Sequence, residues 1–286
     1  MKLCLLALLA FPLAAQDFSE IQVDRIAHGY HFTEGPAWSH EGFLLFSDIP
    51  AGTIIKYSAS GEEVYRESSG GAAGNAFDPQ GRLYTCETRA RRVVRTDKKG
   101  RVEVLADRWE GKRLNAPSGI AVSHNGNVYF TDPAFGYQQD ARELDFYGVY
   151  HITAKGQLSV IAKPAGRPNG IALSPNGRIL YVANADERNI RAYDVDREGE
   201  VSGERVLVSK VDGIPAGIHA SENGDLYVAA KGIAVYSPDG KLIATIPVAE
   251  KPSNCVFGDA DLHTLYITAR TSVYRVRFDA KEPSQN

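Results

Sequence analysis

Cysteine is scarce in this 286-residue chain: three in all, at positions 4, 86 and 255. No C-x-x-C pair occurs, which excludes the zinc and dithiol motifs that such spacing marks. Charge of one sign is lacking too. With 32 Lys and Arg against 35 Asp and Glu, the formal net charge is -3, so no global basic field draws the chain to nucleic acid or to an anionic membrane surface. The chain has no apolar run long enough to cross a bilayer and no long amphipathic helical pattern. A G-x-S-x-G elbow and a glycine loop ending in Lys-Ser/Thr are both missing, so neither serine-hydrolase nor nucleotide-cradling chemistry is supported. No Pro/Gly/Ser-rich linker divides the chain.

What is present begins with a targeting pattern. Lys2 precedes an apolar run from Leu3 to Leu9, followed by Phe11, Pro12, Leu13, Ala14 and Ala15. A positive start, a short apolar core and a small-residue exit read as a secretory signal peptide over residues 1–15. An exported protein, periplasmic or secreted, is expected, with a single domain over residues 16–286. Oxidising surroundings permit a bridge between Cys86 and Cys255. Their places in apolar strands of distant repeats point instead to two buried thiols.

One phrase recurs six times: an apolar strand, a turn, then a second strand ending near an acid or Asn. The turn glycines of the first five copies stand at 42, 81, 126, 177 and 224; the sixth copy runs through Phe257-Gly-Asp-Ala-Asp261. Asn-Gly and Glu-Gly pairs supply the positive φ of tight hairpins. A second hairpin follows each of the first five, turning at Gly61, Gly100, Gly156, Gly199 and Gly240. Four strands at a period of roughly 40–50 residues are the mark of a propeller blade. The fold class is therefore all-β: a six-bladed β-propeller of four-stranded antiparallel blades. The last repeat lacks an outer strand, and the N-terminal segment Ile21 to Ala27 is expected to supply it, removing two open edges.

The repeat also locates a site. The innermost strand of each blade starts eight residues before its turn glycine, at one mouth of the central channel. Counting back gives Glu34, Ala73, Ser118, Asn169 and Ala216, with Asn254 equivalent in the sixth repeat. These side chains should form a ring. Blade 3 has an unusually long loop, Pro133 to Tyr147, whose aromatics Phe135, Tyr137, Phe146 and Tyr147 could roof a small-molecule pocket or pack over the rim. Arg113 and Asn115, just before blade 3, are candidates to orient a substrate. Asp132, Asp140, Asp145 and Asp212 are loop carboxylates that could reach the ring, and His219 is the histidine nearest the mouth.

Several stretches resemble the gluconolactonase/regucalcin-like family of calcium-dependent six-bladed propellers: Glu34-Gly-Pro-Ala-Trp38, Arg113-Leu-Asn-Ala-Pro117, Phe130-Thr-Asp-Pro133, Arg167-Pro-Asn-Gly170 and Ser253-Asn-Cys-Val-Phe-Gly258. The resemblance covers nearly all of the chain beyond residue 15. It implies that Glu34 and Asn169 hold calcium or another divalent cation that polarises the carbonyl of a small-molecule lactone or ester; the ring count adds Asn254 and the hydroxyl of Ser118 to the candidate metal ligands, and the other reading of Glu34 is a hydrogen bond to channel amides and water without a cation. The chain departs from the pattern at three ring positions: Ala216 where the family has Asp, Ser118 where it has Asn, and Ala73-Gly74 where Asn-Gly is common. The general base is thereby unassigned. The alternative is a propeller that has lost catalysis and binds a sugar or other small ligand at the same mouth. Asp194-x-Asp196-x-Glu198-Gly199 imitates a calcium loop but has Arg205 at the twelfth position, where a bidentate Glu is needed, and is read as a hairpin turn. The basic run Arg89 to Arg101 is read as a solvated blade edge.

Overall fold

The computed structural model describes residue 18 and residues 21–278, and the segment read as a signal peptide lies outside the described residues. Each repeat folds as two consecutive hairpins, and the hairpins pair into one antiparallel sheet. Blade 1 shows the pattern, with Thr33–Ser39 innermost, then Phe43–Asp48, Thr53–Ser58 and Gly61–Arg66. Blades 2 to 5 repeat this order outward, and six four-stranded sheets complete the ring. In blades 2 and 4 the first-hairpin turn is fastened by the residue that follows the inner strand. Asp78 Oδ1 accepts from the amides of Gln80 and Arg82, and Ser174 Oγ accepts from those of Arg178 and Ile179. The calcium-loop imitation is a hairpin of this kind, with Asp196 Oδ1 accepting from the amides of Glu198, Gly199 and Glu200.

Blade 6 has three strands of its own, Pro252–Gly258, Thr264–Ala269 and Ser272–Arg277, and the N-terminal strand Val23–His28 pairs antiparallel with the last of them. The expected closure is found, with the strand starting two residues later than the sequence suggested. Six apolar clusters fill the junctions between neighbouring blades. The dispersed tyrosines belong to them: within the second strands of blades 2 to 6 stand Tyr84, Tyr129, Tyr181, Tyr227 and Tyr266, with Leu45 at the equivalent place in blade 1, all buried. Burying a side chain of this size stabilises by roughly 1.5–3 kcal/mol, and the ring position lets the hydroxyl reach a partner. Tyr129 donates to Gly199 O and Tyr266 to Asp259. Cys86 and Cys255 are buried free thiols, as expected.

The inner strands are pinched together where they begin. In five blades the residue after the ring position is glycine, because the next blade leaves no room for a Cβ. Such an atom would stand 1.9 Å from Ala73 O at Gly35, 2.4 Å from Ser118 O at Gly74, 2.5 Å from Asn169 O at Gly119 and 2.2 Å from Ala216 O at Gly170. Backbone hydrogen bonds cross the same junctions, from Gly74 N to Ser118 O and from Gly170 N to Ala216 O, both 2.8 Å. Neighbouring blades are thus in direct backbone contact at the ring.

Candidate active site

The ring brings its polar members together in two pairs. Asn254 Nδ2 donates to Glu34 Oε1 at 2.9 Å, joining blades 6 and 1. Ser118 Oγ donates to Asn169 Oδ1 at 3.2 Å, joining blades 3 and 4. Ala73 and Ala216 add only methyl groups. A second tier holds the ring carbonyls: Ser47 Oγ donates to Ala73 O at 3.0 Å and Thr131 Oγ1 to Asn169 O at 2.6 Å. Burial raises the pKa of Glu34, and the hydrogen bond from Asn254 works against it.

Glu34, Asn169 and Asn254 line one end of a cavity of about 1390 Å³, the central channel, which runs along the inner strands to the first-hairpin turns at His40, His124, Asn176 and Asn223. Three residues into each inner strand, the wall carries Ala37, Ala76, Ala121, Ala172, His219 and Phe257. Four alanines leave the channel wide, and the two large side chains stand on adjacent blades, with ring centroids 5.9 Å apart.

The ring offers one carboxylate, two amide oxygens and a hydroxyl. An all-oxygen set of this kind suits a hard cation such as calcium and not zinc or copper. It fits such an ion loosely, since calcium takes about 6–8 oxygens and gains affinity from carboxylates. Among the described residues no group of three or more His, Cys, Asp and Glu side chains converges.

The loop carboxylates do not reach the ring. Asp132 is fully buried, and its two oxygens accept from the amides of Asn115 and Ala116, each at 2.7 Å. Burial pushes its pKa up to about 7 against those hydrogen bonds. Asp140 and Asp145 are exposed, and Asp212 faces Lys231 at 3.7 Å on the surface. Asn115 is itself buried. Its Nδ2 donates to Asp132 O and Phe146 O, so its side chain anchors the blade 3 loop. Arg113 binds the same neighbourhood, its guanidinium donating to Ala90 O. Neither residue lines the channel, and both lie where their first role is to hold loops.

The long loop packs over the rim and does not roof the channel. Phe146 joins the cluster between blades 2 and 3, and Arg167 lies over the Phe135 ring at 5.0 Å. Arg142 covers the Tyr147 ring at 4.7 Å. Tyr137 falls in the 3-10 turn Gly136–Gln139, and its side chain is outside the described part of the structure. One member of the basic run also departs from expectation. Arg91 is buried at positive φ, with Nε donating to Leu114 O at 2.6 Å and a terminal nitrogen to Ala141 O at 3.2 Å. Arg95 and Arg101 pair with Glu103 and Asp97 on the blade edge, as a solvated edge should, whereas Arg92 reaches the buried carboxylate of Glu87.

The sequence profile described as the SMP-30/gluconolactonase/LRE-like region matches residues 32–271. A gluconolactonase from Zymomonas mobilis is 32% identical over 288 aligned residues, covering 89% of this chain and 81% of the relative. Regucalcin from Sus scrofa is 23% identical and covers 83% of each chain. Among solved structures, a gluconolactonase from Xanthomonas campestris superposes with a TM-score of 0.84 at 30% identity, over 91% of this chain and 90% of that one.

Proposed function

The chain belongs to the SMP-30/gluconolactonase/LRE-like family, and from that premise we propose that it hydrolyses a small lactone or related ester at the ring end of its channel. The observation that supports this reading is the convergence of Glu34 with Asn254 and of Ser118 with Asn169 at one end of a cavity large enough for a sugar-sized molecule. Glu34, Asn169, Ser118 and Asn254 would hold a divalent cation, whose chemistry there is to polarise a carbonyl as a Lewis acid.

The protein's own groups do the positioning. The amides of Asn169 and Asn254 sit on strands locked by the glycine junctions, so donors aimed at a carbonyl oxygen need no reorganisation as negative charge develops on it. Ester and hydroxyl oxygens of a substrate find further donors in the remaining amide hydrogens of Asn169 and Asn254, while the alanines at the next level leave space for its body. Water is the nucleophile.

The test is direct. The purified protein is offered a panel of five- and six-membered sugar lactones, with calcium and with chelator, and ring opening is followed by acid release. Hydrolysis that falls at least tenfold in Glu34→Gln supports the reading; no hydrolysis of any lactone under either condition defeats it. A second reading is a propeller that binds a sugar-like ligand without turnover. Ala216 favours it, because a methyl group stands where the resemblance leads one to expect a carboxylate. Saturable binding of an aldonic acid or lactone without ring opening would select that reading.

A further inference from the structure

We propose that His219 is the proton acceptor of this channel, taking over the base function that Ala216 cannot serve. The inference rests on the lactonase reading and deepens it.

Three observations carry it. His219 lies on the channel wall, in the inner strand Ile218–Ala220 of blade 5, three residues along the chain from Ala216. That is about 10 Å of extended chain, which leaves room for a small lactone between the ring amides and the imidazole, with a water beside the ring nitrogens. Second, its level of the wall is otherwise open: the equivalent residue is alanine in four blades, and only Phe257 stands beside it. A long polar side chain there faces the cavity. Third, among the described residues neither imidazole nitrogen has a hydrogen-bond partner. His31 bonds Asp48 at 3.2 Å and His151 bonds Asn127 at 2.8 Å, while His28, His40 and His124 face solvent. An imidazole on a cavity wall with both nitrogens unused is placed to bind something from the cavity.

The surroundings leave it neutral. Strands Leu226–Ala229, Pro168–Leu173, Ile179–Asn184 and Pro252–Gly258 pack against it. Their titratable side chains are Tyr227, Tyr181 and Cys255, each with its pKa raised by burial and so uncharged at neutral pH. Burial alone lowers the His219 pKa, to about 4, so the imidazole is unprotonated through the neutral range.

The step balances without another reactant. One imidazole nitrogen takes a proton from water as the water oxygen adds to the lactone carbonyl carbon. Collapse of the tetrahedral adduct breaks the bond from that carbon to the ring oxygen. The imidazolium returns its proton to that oxygen, and the product is the open hydroxy acid.

The experiment compares wild type with His219→Gln in background-corrected lactone hydrolysis between pH 4 and pH 8, with thermal melts of both proteins. It adds NMR of carbon-13 histidine, in which the His219 signal is the one missing from the variant. A sugar lactam, the lactone with its ring oxygen replaced by NH, serves as the unreactive ligand. The expected result is a loss of about 10²- to 10⁴-fold in kcat, an unchanged melting temperature and lactam affinity, and disappearance of the acidic limb of the wild-type profile. The His219 signal in wild type should move when lactam is added. Turnover in His219→Gln within threefold of wild type, or a His219 signal unmoved by saturating lactam, overturns the proposal and leaves the lactonase reading standing. A wild type that opens no lactone removes both.

Discussion

Blades 2 and 5 stand opposite each other and share one backbone plan, yet they present different chemistry. Each begins its inner strand with Ala-Gly at the ring, Ala73-Gly74 and Ala216-Gly217. Each glycine closes on the next blade, Gly74 against Ser118 O and Gly217 against the side chain of Asn254. Three residues from the ring the plan diverges, with Ala76 in blade 2 and His219 in blade 5. Periodic positions in this molecule serve the ring's geometry, and the chemistry is written at the positions where the period breaks.

The largest effect that would sharpen this comparison is steric. Gly74→Ala forces a Cβ to 2.4 Å from a backbone oxygen, and a shift of packed strands should destabilise by about 3 kcal/mol, read from urea unfolding. Gly217→Ala should cost less, because Asn254 can swing aside. It should lower activity instead, since that movement breaks the Asn254–Glu34 hydrogen bond. Equal stability losses in both variants would show that the Asn254 side chain is as fixed as backbone.

Next in size is a carboxylate restored to the ring. Ala216→Asp places a second negative charge near Glu34 and should lower the melting temperature in chelator. Calcium should reverse the loss, stabilising by about 2.7 kcal/mol when present at about one hundred times its dissociation constant. Ala73→Asp, in the opposite blade, should respond less. A melting curve of Ala216→Asp that ignores calcium would show that the ring oxygens do not converge on an ion.

A smaller effect concerns Asp132. Its pKa rises from an ordinary 3.8 to about 7 on folding. The folded state therefore holds this proton more tightly than the unfolded chain. Its contribution to stability is full below pH 3.8 and is lost as pH rises through about 7, by linkage. The slope of melting temperature against pH over that window should be flatter in Asp132→Asn. Smallest of all is the effect of reductant: with Cys86 and Cys255 free, dithiothreitol should leave the melting temperature unchanged.

Much of the fold could be read from the repeat, because tight turns demand glycine and the turns set the period. The closing strand was legible for the same reason: a blade of three strands leaves an edge that some segment must cover. The ring of Glu34, Ser118, Asn169 and Asn254 followed from counting back along that period, and its pairings are the ones a shared axis would produce. Residues outside the period were less readable. Asn115 sits in a phrase rich in polar side chains, and nothing local distinguishes a substrate donor from one turned inward to the carbonyls of Asp132 and Phe146. Arg91 looked like its solvated neighbours, since alternation does not reveal a residue whose positive φ turns it inward. The alanine level around His219 was visible in principle, as four equivalent alanines and two exceptions, once the ring positions were aligned.

The most direct measurement is a crystal structure of the protein with the sugar lactam bound. Electron density inside the channel, against Glu34, Asn169 and Asn254 and within reach of His219, is the predicted result. Density for the lactam beneath the Pro133–Tyr147 loop, outside the channel, would contradict it.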